Sequence, residues 1–257
     1  MNNKGKPWTR EETMLAFELY CIIPKGKDTI HNEHIKKLAV TLGRSADSVK
    51  LKLQNFKSCD PSYTSDGRKG LSNVSKIDKE VCDEFLDRWD EMLLAVDKIK
   101  VQLGVERIST DEEVEEDYII PTATNQEAIR KVRIGQSFFS RAVRCAYEFK
   151  CCITNINIPE LLIASHIKPW RDSNDINEKA NPRNGLLLNS LHDAAFDKGY
   201  ISIDRDYRVM LSSQIINSTP ENRVFFDKYK DAKIALPLRF LPDYEFIQYH
   251  NDVIFKG

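Results

Sequence analysis

Two short stretches decide how this chain is interpreted, and the first is LLIASHIKPW at residues 161–170. Its apolar residues form a continuous run of strand length that ends on His166. Lys168, Pro169 and Trp170 then break the run. The pattern predicts a strand that delivers a histidine at its end, followed by a polar loop.

The second stretch is NPRNGLLLNSLHDAAFD at residues 181–197. Gly185 to Leu188 form another short apolar run, which predicts a second strand. Asn189 or Ser190 is then placed to cap a helix that carries His192 and Asp193. The predicted order is therefore strand, strand, helix, and a hairpin built from residues 200–203 and 208–211 follows it.

This arrangement resembles the HNH endonuclease family, whose pattern is a His after a strand, an Asn opening a second strand and a His on the next helix. The segments ASHIKPW, NGLLL and HDAAFDKG are similar to the subgroup found in bacterial restriction-type proteins. The resemblance covers residues 133–204. It implies an α+β fold with a C-terminal ββα-metal nuclease domain that hydrolyses phosphodiester bonds in DNA.

Phosphodiester hydrolysis near neutral pH needs a base that activates water, and histidine has the side chain best suited to this task. His166 is the predicted base. By resemblance, Asn184 fixes the loop that carries it, with Asn189 as a substitute candidate. A divalent ion must also neutralise the scissile phosphate, and we expect Mg²⁺, with Mn²⁺ and Ni²⁺ as alternatives.

The predicted ligands of that ion are His192 and Asp193, which compete for one inherited role. Counting from Asn184 as in commoner family members selects Asp193 instead of His192. Many members also carry an acid or a His immediately before the catalytic His, whereas this chain has Ser165, so the ligand set is incomplete. Asp197 is left open as a ligand, a cap or a turn residue.

The N-terminal part is predicted to be helical. Thr9 and Glu12 form a capping box, Gly43 ends a second helix, and Ser45 caps a third helix that runs to residue 57. Residues 7–57 are similar to Myb-like and other helix-turn-helix modules, with Lys50 and Lys52 on a DNA-reading helix. The alternative is a small helical bundle whose lysines are simply solvated or dock a protein.

Organisation along the chain follows from composition. A helix over residues 77–96 closes the first predicted domain, residues 1–96. Residues 97–127 are a predicted acidic linker, and residues 128–257 form the nuclease domain. Basic side chains around the second domain are candidate nucleic-acid contacts, namely Arg133, Arg141, Arg144 and Lys168.

The formal net charge of −1 does not by itself favour a nucleic-acid partner. However, residues 96–127 hold nine acids against three bases, while residues 128–257 hold 19 bases against 15 acids. The six cysteines form no C-x-x-C pair, so we expect reduced thiols and no structural zinc. With neither a membrane span nor a signal peptide in the sequence, we expect a cytoplasmic protein.

These features predict a metal-dependent endonuclease that cuts double-stranded DNA in restriction or phage defence. One alternative is a non-catalytic DNA-binding regulator with a degenerate HNH unit, which the serine at position 165 favours. Another is a nuclease that acts on RNA. Cleavage of both strands by one site per chain would favour a homodimer. The sequence does not specify the recognition sequence or a dependence on DNA modification.

Overall fold

The structure is a computed structural model that describes residue 3 and residues 5–59, 74–104 and 126–257. Its contacts divide the chain into two compact units. The N-terminal unit extends to Cys145 and also includes Asn174–Asn181, whereas the C-terminal unit comprises Ala146–Ser173 and Pro182–Gly257. The first is helical and the second carries short antiparallel strands with helices, so the α+β class is confirmed.

The first three helices begin and end where the sequence predicts. Helix α1 spans Arg10–Ile22, α2 spans Glu33–Leu42 and α3 spans Ala46–Phe56. Thr9 and Glu12 form the predicted capping box, because each side chain bonds the backbone N–H of the other residue. Gly43 ends α2 in the left-handed conformation, with φ of 61°.

The predicted helix over residues 77–96 is instead two helices, α4 at Lys76–Asp87 and α5 at Trp89–Gln102. Arg88 separates them, with φ of −148° and ψ of 57°, which lies outside the helical region. Helix α6 follows at Gln126–Ala146. Of the predicted linker, residues 105–125 lie outside the described residues, and α5 occupies residues 97–102.

An aromatic cluster forms the core of the N-terminal unit. The ring of Phe17 lies 4.7 Å from Phe85 and 5.1 Å from Phe56, and Trp89 packs against Phe138 at 5.6 Å. These rings come from α1, α3, α4, α5 and α6. Burial of large rings at these distances supplies both apolar area and favourable ring contacts, which holds five helices together.

The C-terminal unit contains the predicted strand, strand, helix order. Strand β1 at Leu162–His166 pairs antiparallel with β2 at Gly185–Asn189, in a register that sets His166 opposite Gly185. Helix α7 at Ser190–Asp197 packs on both strands. A second antiparallel pair follows as predicted, with β3 at Ile201–Ile203 and β4 at Val209–Leu211.

Short elements complete the C-terminal unit. Helices α8, α9 and α10 occupy Ser213–Ile216, Pro220–Arg223 and Tyr244–Tyr249. Single 3₁₀ turns occur at Pro159–Leu161, Pro182–Asn184 and Asp227–Tyr229, and a π-helical turn occurs at His250–Ile254.

Residues 126–145 group with the N-terminal helices, whereas the sequence pattern joined residues from 128 onward to the C-terminal domain. All six cysteines are free, and all but Cys59 are buried. In the described part of the chain, no helix is both long enough and apolar enough to cross a membrane.

Candidate functional site

His166 is the last residue of β1 and is half-buried. Strand pairing with Gly185 fixes its backbone, and the ring of Trp170 lies edge-on at 5.4 Å between centroids. The imidazole is thus held at a strand end by a paired backbone and an aromatic neighbour. This position is suited to a side chain that must act on a bound molecule.

Asn184 fixes the loop that follows His166. Its side-chain oxygen accepts a hydrogen bond from the Lys168 N–H at 2.8 Å, and its Nδ2 donates to the Lys168 carbonyl at 3.1 Å and to Ser173 Oγ at 3.3 Å. Its own carbonyl accepts from the Ile167 N–H at 2.9 Å. Asn184 is fully buried, so water does not compete for these bonds.

The start of α7 is organised by Asn189. Its Oδ1 caps the helix by accepting from the N–H groups of Leu191 and His192, each at 3.1 Å. Its Nδ2 donates to Thr154 Oγ1 at 3.1 Å and lies 3.0 Å from His192 Nδ1. His192 Nδ1 thus lies 3.0 Å from Nδ2 and 3.2 Å from Oδ1 of the same side chain, and which of the two it bonds depends on the tautomer of the ring.

The ring of His192 is enclosed by the protein. The ring is only 4% exposed and lies 5.5 Å from Phe226 and 5.3 Å from Tyr229, edge-on to the latter. Burial, together with the charge of Lys228, lowers the pKa of His192 to about 4. Its buried Nε2 has no hydrogen-bond partner among the described residues. Burial among aromatic rings is typical of a structural histidine, so His192 is the less accessible of the two predicted ligands.

Asp193 and Asp197 lie one helical turn apart and therefore share a face of α7. Asp193 is half-buried and Asp197 is exposed. Neighbouring atoms that reduce hydration of the Asp197 carboxyl raise its pKa, and contact with the Ser165 hydroxyl acts in the opposite direction. Asp197 is therefore close to the end of β1. The sequence alone left the role of Asp197 open. Its spacing of four residues from Asp193 is the signal that would have placed the two acids on one helix face.

These donors fit a hard divalent cation. Carboxylate oxygens are the ligands that Mg²⁺ prefers, and it is usually bound by one or two carboxylates together with water and phosphate oxygens. In the described ranges, no group of three or more His, Cys, Asp or Glu side chains is arranged to hold a metal ion. A pair of carboxylates is sufficient for magnesium but not for a structural zinc site.

Ser165, which precedes His166, has a buried hydroxyl with no hydrogen bond of ordinary geometry in the part of the chain that the structure describes. The Ser165 hydroxyl lies close to the Asp197 carboxyl, and this contact opposes the rise in the pKa of Asp197 that reduced hydration causes.

The candidate nucleic-acid contacts divide into accessible and occupied side chains. Arg133 is exposed on α6, and Lys50 is half-buried on α3. Lys168, also half-buried, has its ammonium 5.1 Å from the Tyr249 ring centre. These three side chains remain suitable for phosphate contact.

The other three candidates are occupied within the N-terminal unit. Lys52 is 4% exposed and forms a buried ion pair with Asp78, so its ammonium is not presented to a phosphate. Arg144 is 7% exposed, and its Nε donates to Ser140 Oγ at 3.3 Å. Burial lowers the pKa of Arg141, which is also half-buried. The positions of Lys52 and Arg144 argue for structural roles, contrary to the sequence-based expectation.

Comparison with known proteins places the strand, strand, helix unit in a family. Residues 151–204 match the family described as HNH endonuclease. A solved structure titled "Modification dependent TagI restriction endonuclease" is similar over 44% of this chain and 36% of its own, with 19% identity and a TM-score of 0.30. This chain thus spans about a third of that enzyme's length. No curated protein sequence matches significantly. The strand, strand, helix unit of this chain is therefore similar to the HNH endonuclease family over residues 151–204.

Proposed function

We propose that this chain is a metal-dependent endonuclease that hydrolyses phosphodiester bonds in double-stranded DNA. The observation that carries the proposal is the set of hydrogen bonds by which buried Asn184 fixes the loop after His166. A base that must meet a phosphate and a water in a defined geometry needs the loop beside it to be fixed. A histidine with a purely structural role at a strand end does not need a buried side-chain amide for this purpose.

His166 acts as the general base in this proposal. It takes a proton from the attacking water, since imidazole has an ordinary pKa close to neutrality. Asn184 does not touch the reacting atoms and acts as a positioning residue. Lys168, whose backbone Asn184 holds, is near enough in sequence to place a positive charge beside the substrate.

A divalent ion, when bound, supplies charge neutralisation at the scissile phosphate and stabilises the leaving oxygen. We assign its protein ligands to Asp193 and Asp197, with Mg²⁺ as the physiological ion and Mn²⁺ and Ni²⁺ as alternatives. His192 is assigned the role of a neutral residue that fixes α7 through Asn189. Asp193 and His192 point in directions about 100° apart on the helix, which favours one of them and not both.

The experiment that tests this function incubates the purified chain with supercoiled plasmid in the presence of Mg²⁺, or of EDTA. Nicked or linear product with Mg²⁺ alone is expected. Methylated and unmethylated plasmids are both included, because the sequence does not define a modification requirement. An RNA substrate of similar length is the specificity control. Cleavage of RNA alone, or of no nucleic acid, would overturn the proposal.

A second candidate is a DNA-binding regulator that has an HNH unit without catalytic chemistry. It is favoured by Ser165 at the position where other family members carry an acid or a His. This candidate predicts plasmid binding that weakens with salt, but no cleavage with any divalent metal ion. The same incubation followed by a gel-shift assay distinguishes the two.

The biological role that we propose is restriction or phage defence, and it rests on resemblance to the restriction-type subgroup alone. The N-terminal helices are proposed to select the DNA, with Lys50 and Arg133 as accessible phosphate contacts. A homodimer is proposed if both strands are cut, since each chain has one HNH unit. Unchanged DNA affinity in the double variant Lys50→Ala, Arg133→Ala would contradict the reading role.

A further inference from the structure

Helix α5 lacks an N-terminal cap from its own sequence. Arg88 occupies the capping position, and its side chain makes no capping hydrogen bond. The first N–H groups of the helix are satisfied instead by residues 174–181, which we call the strap. Trp89 N–H donates to the Asn177 side-chain oxygen at 3.5 Å, and Asp90 N–H donates to the Ile176 carbonyl at 3.1 Å. The strap thus caps α5 from a distant part of the sequence.

Asp90 holds the strap at a second point. Its carboxylate accepts a hydrogen bond from the Ala180 N–H at 3.3 Å, and the residue is only 6% exposed. Burial raises the pKa of Asp90 to about 6, although the hydrogen bond from Ala180 acts in the opposite direction. The charged side chains facing it are Lys131 of α6 and Asp175 and Lys179 of the strap. One residue of α5 therefore bonds both halves of the strap.

The residues that flank the strap on either side belong to the region around Asn184. Ser173, immediately before it, accepts from Asn184 Nδ2, and its hydroxyl lies 3.1 Å from the Lys168 carbonyl. Pro182, immediately after it, begins the 3₁₀ turn that contains Asn184. The strap is therefore the whole connection between the loop that follows His166 and the asparagine that fixes this loop.

We propose that Asp90 is a positioning residue for the nuclease reaction, acting through the strap on Asn184 and the His166 loop. The inference rests on the proposed function for its kinetic part. Releasing the strap at α5 adds freedom to the connection, and this loosens the Asn184 bonds that fix the backbone of Ile167 and Lys168. Misplacement of a catalytic group by about 1 Å can reduce a rate about a hundredfold, so a small release is sufficient to be measured.

The experiment compares Asp90→Ala with Asp97→Ala in the full-length chain. Asp97 is a matched control because it is a buried acid on the same helix, about two turns onward, and it pairs with Arg130 of α6. Hydrogen–deuterium exchange is followed at the amides of residues 167, 168 and 180. We expect Asp90→Ala to raise exchange at all three about tenfold, and Asp97→Ala to leave residues 167 and 168 unchanged.

Cleavage kinetics supply the second readout. Asp90→Ala should lower kcat about tenfold with an unchanged KM, because DNA contacts are retained while the loop is less well placed. Asp90→Asn, which keeps a side-chain oxygen for the Ala180 N–H, should restore most of the rate. In the wild type, exchange at Ala180, corrected for intrinsic rates, should rise as the pH falls through about 6, and Asp90→Asn should abolish this dependence.

If Asp90→Ala does not fold, Asn177→Ala replaces it, because this substitution removes the side-chain oxygen of the strap that caps α5. Exchange at residues 167, 168 and 180 should then rise about threefold. Unchanged exchange at residues 167 and 168 in every strap variant would overturn the inference. So would an equal increase in Asp97→Ala, which would show general loosening of the N-terminal unit. If the wild type cleaves nothing, the proposed function fails, and the exchange measurement still decides whether Asp90 controls the loop.

Discussion

The two faces of helix α7 differ in what their polar side chains do. On the buried face, His192 has a pKa lowered to about 4, bonds Asn189 and packs against aromatic rings. On the accessible face, Asp193 and Asp197 lie one turn apart near the end of β1. Adjacent residues in sequence thus serve different purposes. One side of the helix maintains the structure, and the other carries the acids that we propose as ligands of the metal ion.

This difference shows how a short helix can supply a reactive site without losing stability. Eight residues make a helix that is marginal in isolation, so tertiary contacts must hold it. Asn189 and His192 provide these contacts at its start, and His250, which stacks on Phe196 at 3.8 Å, provides them at its end. We expect substitution of Asp193 or Asp197 to affect metal binding more than folding.

The largest expected effect concerns Asp193. We predict that Asp193→Asn reduces cleavage about a thousandfold, because removing the carboxylate removes a ligand of the ion that neutralises the phosphate. Isothermal titration should show much weaker binding of Mn²⁺, while Tm changes little. Asp206→Asn, at an exposed acid in the β3–β4 turn, is the matched control. If Asp193→Asn bound Mn²⁺ as tightly as the wild type, the assignment of metal binding to the Asp193 face of α7 would be wrong.

His192→Ala should reduce stability and leave metal binding largely unchanged, which is the reverse of the effect expected for Asp193→Asn. The substitution of His192 removes a buried ring and one contact of the Asn189 side chain, so we expect a loss of about 3 kcal/mol in the free energy of unfolding. Urea unfolding measures this loss. Metal affinity of the folded variant should remain within a few fold of the wild type. A selective loss of metal binding without a loss of stability would return the ligand role to His192.

Acid should destabilise the C-terminal unit through two histidines. Burial lowers the pKa of both His192 and His250 from 6.5 to about 4, so their contribution is complete above pH 6.5 and is lost as pH falls toward 4. The limiting loss is at most roughly 3 kcal/mol for each group. His250 Nε2 lies 3.1 Å from the Phe196 carbonyl and its Nδ1 2.8 Å from Ser202 Oγ.

The measurement is urea unfolding of the wild type and of His192→Gln at pH 7 and pH 5. The variant should lose less stability between these two pH values, because one of the titrating groups is absent. Equal losses in both proteins would show that His192 does not titrate with a lowered pKa. Proton NMR of the ring resonances would report the same property directly.

Asp197→Asn should have the smallest effect, about a fivefold decrease in cleavage. Its side chain is exposed, and Mg²⁺ readily keeps water in place of a carboxylate ligand. Titration of cleavage rate against Mg²⁺ should show a higher half-saturating concentration with the same maximum rate. A decrease equal to that of Asp193→Asn would mean that the two acids contribute equally.

The sequence predicts those features that depend on near neighbours. The capping box at Thr9 and Glu12, the left-handed Gly43 and the strand, strand, helix order all follow from patterns within a few residues. The loop bonded by Asn184 also agrees with the role that resemblance implied. In each of these cases the local pattern and the tertiary contacts favour the same conformation.

Features that depend on distant partners could not be predicted in this way. The break at Arg88 is stabilised by strap residues about 90 positions away, so the periodicity of residues 77–96 does not reveal it. The sequence pattern predicts an accessible Lys52, but in the structure its ammonium pairs with the buried carboxylate of Asp78. The preference for Asp193 over His192 as a ligand depends on the burial of His192 against Phe226 and Tyr229, which no sequence spacing encodes.

The most direct test of the account measures single-turnover cleavage of supercoiled plasmid by the wild type and by His166→Ala at saturating Mg²⁺. We predict Mg²⁺-dependent nicking by the wild type and a decrease of at least about a thousandfold in the variant, with unchanged DNA affinity. Nicking by His166→Ala at the wild-type rate would contradict the assignment of His166 as the base.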